Sequence, residues 1–257
     1  MIRLQKLLAG AGLGSRRTVE GWIRAGRVTI GERTARLGDR ASLTDEVRLD
    51  GRKLDLGGGP AAGRELLLYY KPVGEVTTRR DPQGRPTVFE RLPRPTQGRW
   101  ISVGRLDVNT SGLLLLTSDG ELAHRLMHPS GEVEREYHVW LRGQPEPEVI
   151  RRLLAGVPLE DGPARFERVS ADPPRNGAPG GFRVVLREGR NREVRRLWTA
   201  VGFEVSRLLR IRYGPIELPQ NLRPGGTRRA DGPTLERLRA AVRARPAGGR
   251  LPPPSSK

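Results

Sequence analysis

The sequence predicts an α+β fold with a largely antiparallel sheet, preceded by a small module of short helices and strands. Three observations carry this. Apolar residues alternate over 135–141, 182–186 and 209–213, the period of strands. Helix-periodic runs at 145–156 and 191–201 occur intermittently among them, the arrangement of α+β chains. The stretch GGGPAAG at 57–63 has linker composition and no apolar anchor, so it divides the chain. The expected organisation is a module at 1–56, a linker at 57–63, a main domain at 64–244 and a disordered Pro/Gly/Ser-rich tail at 245–257.

In the first module, Leu4, Leu7, Leu8 and Leu13 recur at helical spacing, and Gly12 and Gly14 close that helix. Ser15 is placed to cap a second helix over 16–25, with Val19, Trp22 and Ile23 on one face. Short strands are expected at 28–30 and 47–49. Arg16, Arg17, Arg24 and Arg27 gather near one end, which suits RNA, although charged helix faces are commonly only solvated.

The main domain opens with a strand at 65–71 and a turn at 72–74, and 81–86 (DPQGRP) reads as loop. A helix is expected at 120–128. His124 and His128 lie four apart on it, but Arg125 stands where a zinc helix would carry Glu and no third ligand is near, so no metal site is expected. Tyr137, Val139 and Leu141 should share one face of a strand. Val194, Leu197, Trp198 and Val201 should point inward from the 191–201 helix. Leu209, Ile211 and Tyr213 should face one way, with Arg210 and Arg212 opposite. A basic helix at 235–244 ends the domain.

The chain has 257 residues with 47 Lys+Arg against 29 Asp+Glu, a net charge of +18. That excess points to a polyanionic partner, nucleic acid first, although a general Arg bias contributes. Lysine occurs only at Lys6, Lys53, Lys71 and Lys257; arginine suits bidentate phosphate contacts. Aromatic content of 5% argues against an extended stacking platform for single strands. Without cysteine, thiolate chemistry, disulfides and Cys-type zinc sites are excluded. No signal pattern and no apolar run of membrane-spanning length appears, so a cytoplasmic protein without membrane association is expected.

The stretch VGRLDVNTSGLLLLTSDG at 103–120 is the candidate centre. It displays Asp107 in a polar turn flanked on both sides by apolar runs, a rigid setting for a functional carboxylate. An Asx-type turn, in which the acid only bonds its own backbone, is the open alternative. Tyr137 and the run GRNREVRR at 189–196 are the pieces that could converge on Asp107. Arg190, Arg192, Arg195 and Arg196 sit after a glycine turn at the start of a helix, a natural phosphate-binding arrangement. An acid near RNA phosphates needs such a cation, because repulsion would otherwise raise its pKa from about 4. Phosphate binding alone is the competing role for these arginines.

Residues 2–50, with RLQKLLAGAGLGSRR leading into IRAGRVTI, resemble the S4 RNA-binding domain. The chain departs from the usual continuation at Thr29, Ile30, Gly31 and Glu32. The main domain, with GRLDVNTSGLLLLTSDG, then HP and REYHV, then EGRNREVRRL, resembles the RsuA/RluB/RluE/RluF branch of the pseudouridine synthases over 66–218. An S4 domain in front is the arrangement of that branch. The resemblance implies isomerisation of a specific uridine in folded large-subunit ribosomal RNA, free or in a pre-ribosomal particle, with no cofactor or metal. It implies that Asp107 is the catalytic acid, that Tyr137 packs on the flipped base, and that Arg195 pairs with the Asp and is followed by an apolar contact at Leu197. It also implies that Arg105 helps hold the site open around that base. A monomer on RNA is the expected state.

Two other classes compete. A non-catalytic RNA-binding assembly factor would make Asp107 and Tyr137 structural, but such a binder has no use for an ionised acid facing phosphates. A metal-dependent nuclease lacks a second carboxylate near Asp107, since Asp119 lies beyond a buried run and reads as an Asp-Gly turn.

Overall fold

The computed structural model describes residues 1–56, 64–174 and 180–243. The expected linker at 57–63 and tail at 245–257 lie outside the described residues. The chain forms two compact units: Met1–Leu66 with Pro93–Ser102 and Leu116–Ala123, and Leu67–Leu92 with Val103–Leu115 and His124–Lys257.

The first unit begins with β1 (Ile2–Arg3), α1 (Leu4–Gly10) and α2 (Arg16–Arg24). β2 (Val28–Ile30), β3 (Arg33–Thr34), β4 (Arg40–Ala41), β5 (Val47–Leu49) and β6 (Arg52–Lys53) follow. Ser15 caps α2 as its position predicts, its hydroxyl oxygen accepting the Thr18 N–H at 2.9 Å. Leu4, Leu7 and Leu8 from α1, Val19 and Ile23 from α2, and Val28 and Val47 from the strands form one core. β3, β2, β5 and β6 pair in that order, and β1 pairs with β4. The helices are too short to persist alone, so this shared core holds them.

The elements after residue 64 are β7 (Leu66–Lys71), β8 (Ile101–Ser102), β9 (Ser111–Thr117), α3 (Gly120–Met127), β10 (Arg135–Arg142) and α4 (Pro147–Ala155). β11 (Arg168–Asp172), β12 (Gly181–Leu186), α5 (Glu193–Ala200), β13 (Glu204–Tyr213), β14 (Ile216–Glu217), β15 (Thr227–Arg229) and α6 (Gly232–Arg243) complete them. The large sheet runs β11-β12-β10-β13-β9-β7-β15, with β14 on β13 and β8 on β9. β10 is antiparallel to β12 and β13, whereas β13 and β9 run parallel. The sheet is thus largely antiparallel, as expected. Residues from α4 and α5, including Leu153, Val194, Leu197 and Trp198, pack with Val139, Val184, Leu186 and Leu208 of the sheet.

Two local expectations are corrected. Strict alternation assigned Arg210 to the face opposite Leu209 and Tyr213. The pairing of β10 with β13 shifts register between Glu136 and Tyr137, so that Arg212 faces Glu136 while Arg210 faces Tyr137. Ile211 is the extra residue of this bulge, and an extra residue reverses the alternation beyond it. Leu208, Arg210 and Tyr213 are consequently all buried. Asp119, expected in an Asp-Gly turn, instead caps α3. Its carboxylate accepts the N–H groups of Glu121 and Leu122 at 3.0 and 3.1 Å and pairs with Arg64 at 2.8 Å.

Candidate active site

Asp107 stands half-buried in the turn before β9. The turn is held largely through its backbone. The Thr110 N–H bonds the Asp107 carbonyl at 3.0 Å, and the Gly74 N–H bonds the Val108 carbonyl at 2.8 Å. Thr77 Oγ1 donates to the Leu106 carbonyl at 2.9 Å. Among the described residues the Asp107 carboxylate itself makes no hydrogen bond or ion pair. The Asx-turn alternative, which requires that carboxylate to hold the backbone, is therefore not the arrangement found.

Lys71 does the holding. It is fully buried at the end of β7, and its ammonium donates to the carbonyls of Pro72, Asp107 and Thr110 at 2.9, 3.0 and 2.9 Å. An ammonium has three N–H donors, and here each has an acceptor. Burial pulls the Lys71 pKa down from 10.5 to about 8, against the opposing pull of the Glu75 and Asp107 charges, and Arg210 lowers it further. Glu75 is buried too, accepting the Tyr69 hydroxyl at 2.6 Å. Sequence reading gave Lys71 no role. The signal was present: a rare lysine in an arginine-rich chain, closing an apolar strand just before Pro72.

Gly112 explains how β9 meets its neighbour. It has φ +109, and a Cβ there would lie 2.6 Å from the Arg210 amide nitrogen and closer still to the Arg210 carbonyl oxygen. Only glycine allows that approach. Arg210 pairs with Gly112 on one side and with Tyr137 on the other. Tyr137 is therefore two strand spacings from the end of the Asp107 turn, about 10 Å at the backbone. Its side chain packs at the margin of the core that α5 covers.

α5 brings the arginines. Arg195 donates through Nη2 to the Asn109 carbonyl at 2.9 Å and through Nη1 to the Val205 carbonyl at 2.7 Å. It thereby ties α5 and β13 to the Asp107 turn. Burial lowers the Arg195 pKa, the Arg192 charge lowers it further, and the Asp107 charge raises it. Arg192, with φ +50 before the helix, reaches Asn109 Oδ1 at 3.3 Å. Leu197 is buried in the core.

The other predicted RNA contacts differ in their surroundings. Arg105 and Arg192 are exposed. Arg190 donates to the carbonyls of Gly162 and Pro163 at 3.0 and 2.9 Å, and Arg196 grips Asp161 with two bonds of 2.8 Å. Glu193 also accepts the Arg190 N–H at 3.0 Å, so the start of α5 already carries a carboxylate of its own. These two arginines anchor the 161–163 loop. In the first unit Arg16, Arg17, Arg24 and Arg27 are all exposed. Arg27 is paired with Asp50 through a bond of 2.8 Å from Nε and one of 2.5 Å from Nη2. His124 and His128 contact each other edge-on at 5.6 Å, and His128 Nδ1 bonds Ser130 Oγ at 2.8 Å. Among the described residues no three His, Asp or Glu side chains gather as metal ligands.

The family model for RNA pseudouridylate synthase matches residues 65–200, which contain the Asp107 turn, Tyr137 and the arginine helix. The chain belongs to this family. The synthase also carries an S4 domain, matched at residues 2–47. It is 53% identical over 242 residues to the ribosomal large subunit pseudouridine synthase B of Yersinia pestis, covering 93% of this chain and 76% of the relative. The protein of the same name from Escherichia coli K12 is 52% identical over 249 residues, covering 95% of this chain and 84% of that one. A crystal structure of a pseudouridylate synthase superposes with a TM-score of 0.64 at 27% identity, covering 93% of this chain and 100% of the other. The synthase is thus an isomerase acting on uridine in RNA. Among its described residues no helix is long and apolar enough to cross a membrane.

Proposed function

We propose that the chain converts one uridine of large-subunit ribosomal RNA to pseudouridine, with Asp107 as the group that acts on the nucleotide. The observation that carries this is the Asp107 carboxylate. Its turn is bolted down by bonds to its backbone carbonyls from the Lys71 ammonium, the Gly74 N–H and the Arg195 guanidinium, while the carboxylate takes no part in holding the fold. An acid kept rigid yet uncommitted is what catalysis needs and structure does not. The names of the relatives support the RNA class.

The target uridine leaves its stack at a cost of a few kcal/mol, offset by packing on Tyr137 and by phosphate contacts. Asp107 acts as nucleophile or base while the N1–C1′ bond breaks. The freed base turns, C5 bonds C1′, the C5 proton departs and N1 takes up a proton. Atoms and electrons balance without oxidant, reductant or water. Arg195 supplies positive charge beside the turn, and Arg105 and Arg192 are exposed to meet phosphates. Residues 1–56 add sequence-independent affinity through Arg16, Arg17 and Arg24. The enzyme works as a cytoplasmic monomer on the RNA or on a pre-ribosomal particle.

The test incubates wild type and Asp107→Asn with unmodified large-subunit ribosomal RNA in EDTA and maps pseudouridine by chemical labelling and primer extension. One stop with wild type alone is expected. Tight, salt-sensitive binding without any stop, on RNA and on pre-ribosomal particles alike, would return the protein to the assembly-factor class.

A further inference from the structure

Arg210 is a guanidinium that the sheet would be easier to build without. It is 2% exposed. Nε donates to the Leu113 carbonyl at 2.7 Å, and the guanidinium carbon lies 5.2 Å from the centre of the Tyr213 ring. Nη2 is buried with no hydrogen-bond partner among the described residues. Burying a charge without full pairing is costly, and a leucine or methionine would serve packing better. A group retained at such cost wants a reason.

Its position supplies one. Arg210 pairs in register with Gly112, where the Asp107 turn joins β9, and with Tyr137 on the opposite side. The bond to the Leu113 carbonyl fixes the first residues of β9 just after the turn. Arg210 also acts on Lys71, the ammonium under the turn. Among the described residues the charged groups acting on Lys71 are Glu75 and Asp107, which favour its proton, and Arg210, which opposes it.

We infer that Arg210 is a positioning residue for the Asp107 site, holding the turn against the Tyr137 strand. This rests on the proposed function above. It assigns Arg210 no contact with the substrate. Its influence passes through the backbone of β9 and through Lys71. A neutral Lys71 has only two N–H donors for three carbonyls, so activity should fall as that lysine loses its proton. Removing the neighbouring Arg210 charge would let Lys71 hold its proton to higher pH.

The experiment uses the full-length protein and a large-subunit ribosomal RNA transcript. Single-turnover rates are measured against pH for wild type, Lys71→Arg, Arg210→Met and Arg210→Lys, with RNA affinity and thermal unfolding alongside. Arg210→Met should slow the step roughly 10- to 100-fold at little change in RNA affinity. Its alkaline limb should move up by about half a pH unit or more relative to wild type. Arg210→Lys, which keeps the charge but not the Leu113 geometry, should be slower than wild type with the limb unmoved. Lys71→Arg should lose the limb altogether. A wild-type rate and limb in folded Arg210→Met would overturn the inference, leaving Arg210 a core residue. If the Met variant does not fold, Arg210→Lys decides: a wild-type rate overturns the inference, and a slowed rate at unchanged affinity sustains it. If wild type itself makes no pseudouridine, the proposed function has failed rather than Arg210.

Discussion

Lys71 and Asp107 are joined by a hydrogen bond of 3.0 Å from the buried ammonium to the acid's own carbonyl oxygen. The lysine thus grips the backbone that carries the carboxylate and leaves the carboxylate to chemistry. A pH signature follows. The Lys71 pKa of about 8 lies below its ordinary 10.5, so between those values the unfolded chain binds more protons than the folded one. Stability contributed by Lys71 should therefore rise with pH across roughly 8 to 10.5, by at most about 3 kcal/mol. Activity should move oppositely, because the neutral amine cannot satisfy all three carbonyls. Comparing wild type with Lys71→Met by denaturant unfolding at pH 7 and pH 10 isolates the first effect. Rates of wild type over the same range report the second. Stability and activity changing in the same direction would contradict this account.

Arg195 spans two carbonyls, on Asn109 and Val205, with the two ends of one planar fork. A lysine carries charge at a single point and cannot reproduce that span. Arg195→Lys should slow pseudouridine formation roughly 10- to 100-fold while RNA binding falls far less. Single-turnover rates at saturating enzyme, set beside a binding isotherm, separate the two quantities.

Much of this site was legible in the sequence. Asp107 sits in a polar turn between apolar runs, and β9 is buried at every position. The helix that follows the glycine turn carries Val194, Leu197 and Trp198 inward, as their spacing requires. What the sequence hid were long-range and register effects. Nothing local reveals that Lys71 meets Asp107 and Thr110 across 36 and 39 residues. The bulge at Ile211 turns Arg210 inward, and alternation counted along the chain misses an extra residue of that kind. Arg190 and Arg196 belong to the same class. Both bond the 161–163 loop, some thirty residues earlier, and no local pattern in the basic run announces that partner.

Gly112→Ala should be among the most damaging single-methyl changes in the chain. The new methyl would meet the Arg210 backbone rather than a side chain able to move, and φ +109 is strained for alanine. A loss of about 3 kcal/mol or more is expected. At this chain length that lowers Tm by roughly 6 to 12 °C. Gly74→Ala makes the comparison, since its φ is +97 but nothing lies within 4 Å of its Cβ position. It should carry the backbone strain alone and lose less. Equal losses in the two variants would mean that the contact with Arg210 yields easily.

Arg16 and Arg17 are exposed at the start of α2, whereas Arg27 is paired with Asp50, which raises its pKa and lowers that of the acid. The three should therefore differ toward RNA. An arginine that meets a phosphate releases counterions, and its loss reduces the slope of log affinity against log salt by about 0.7 to 0.9. Arg16→Ala with Arg17→Ala should flatten that slope by about 1 to 2, while Arg27→Ala should leave it nearly unchanged. At saturating enzyme the single-turnover rate of all these variants should match wild type, since the residues hold RNA rather than the reacting uridine. Filter binding from 50 to 300 mM salt, together with rates at enzyme excess, makes the comparison. An unchanged slope for the Arg16, Arg17 double variant would remove this face from the RNA contact, and a lower saturating rate would give the module a part in the chemistry.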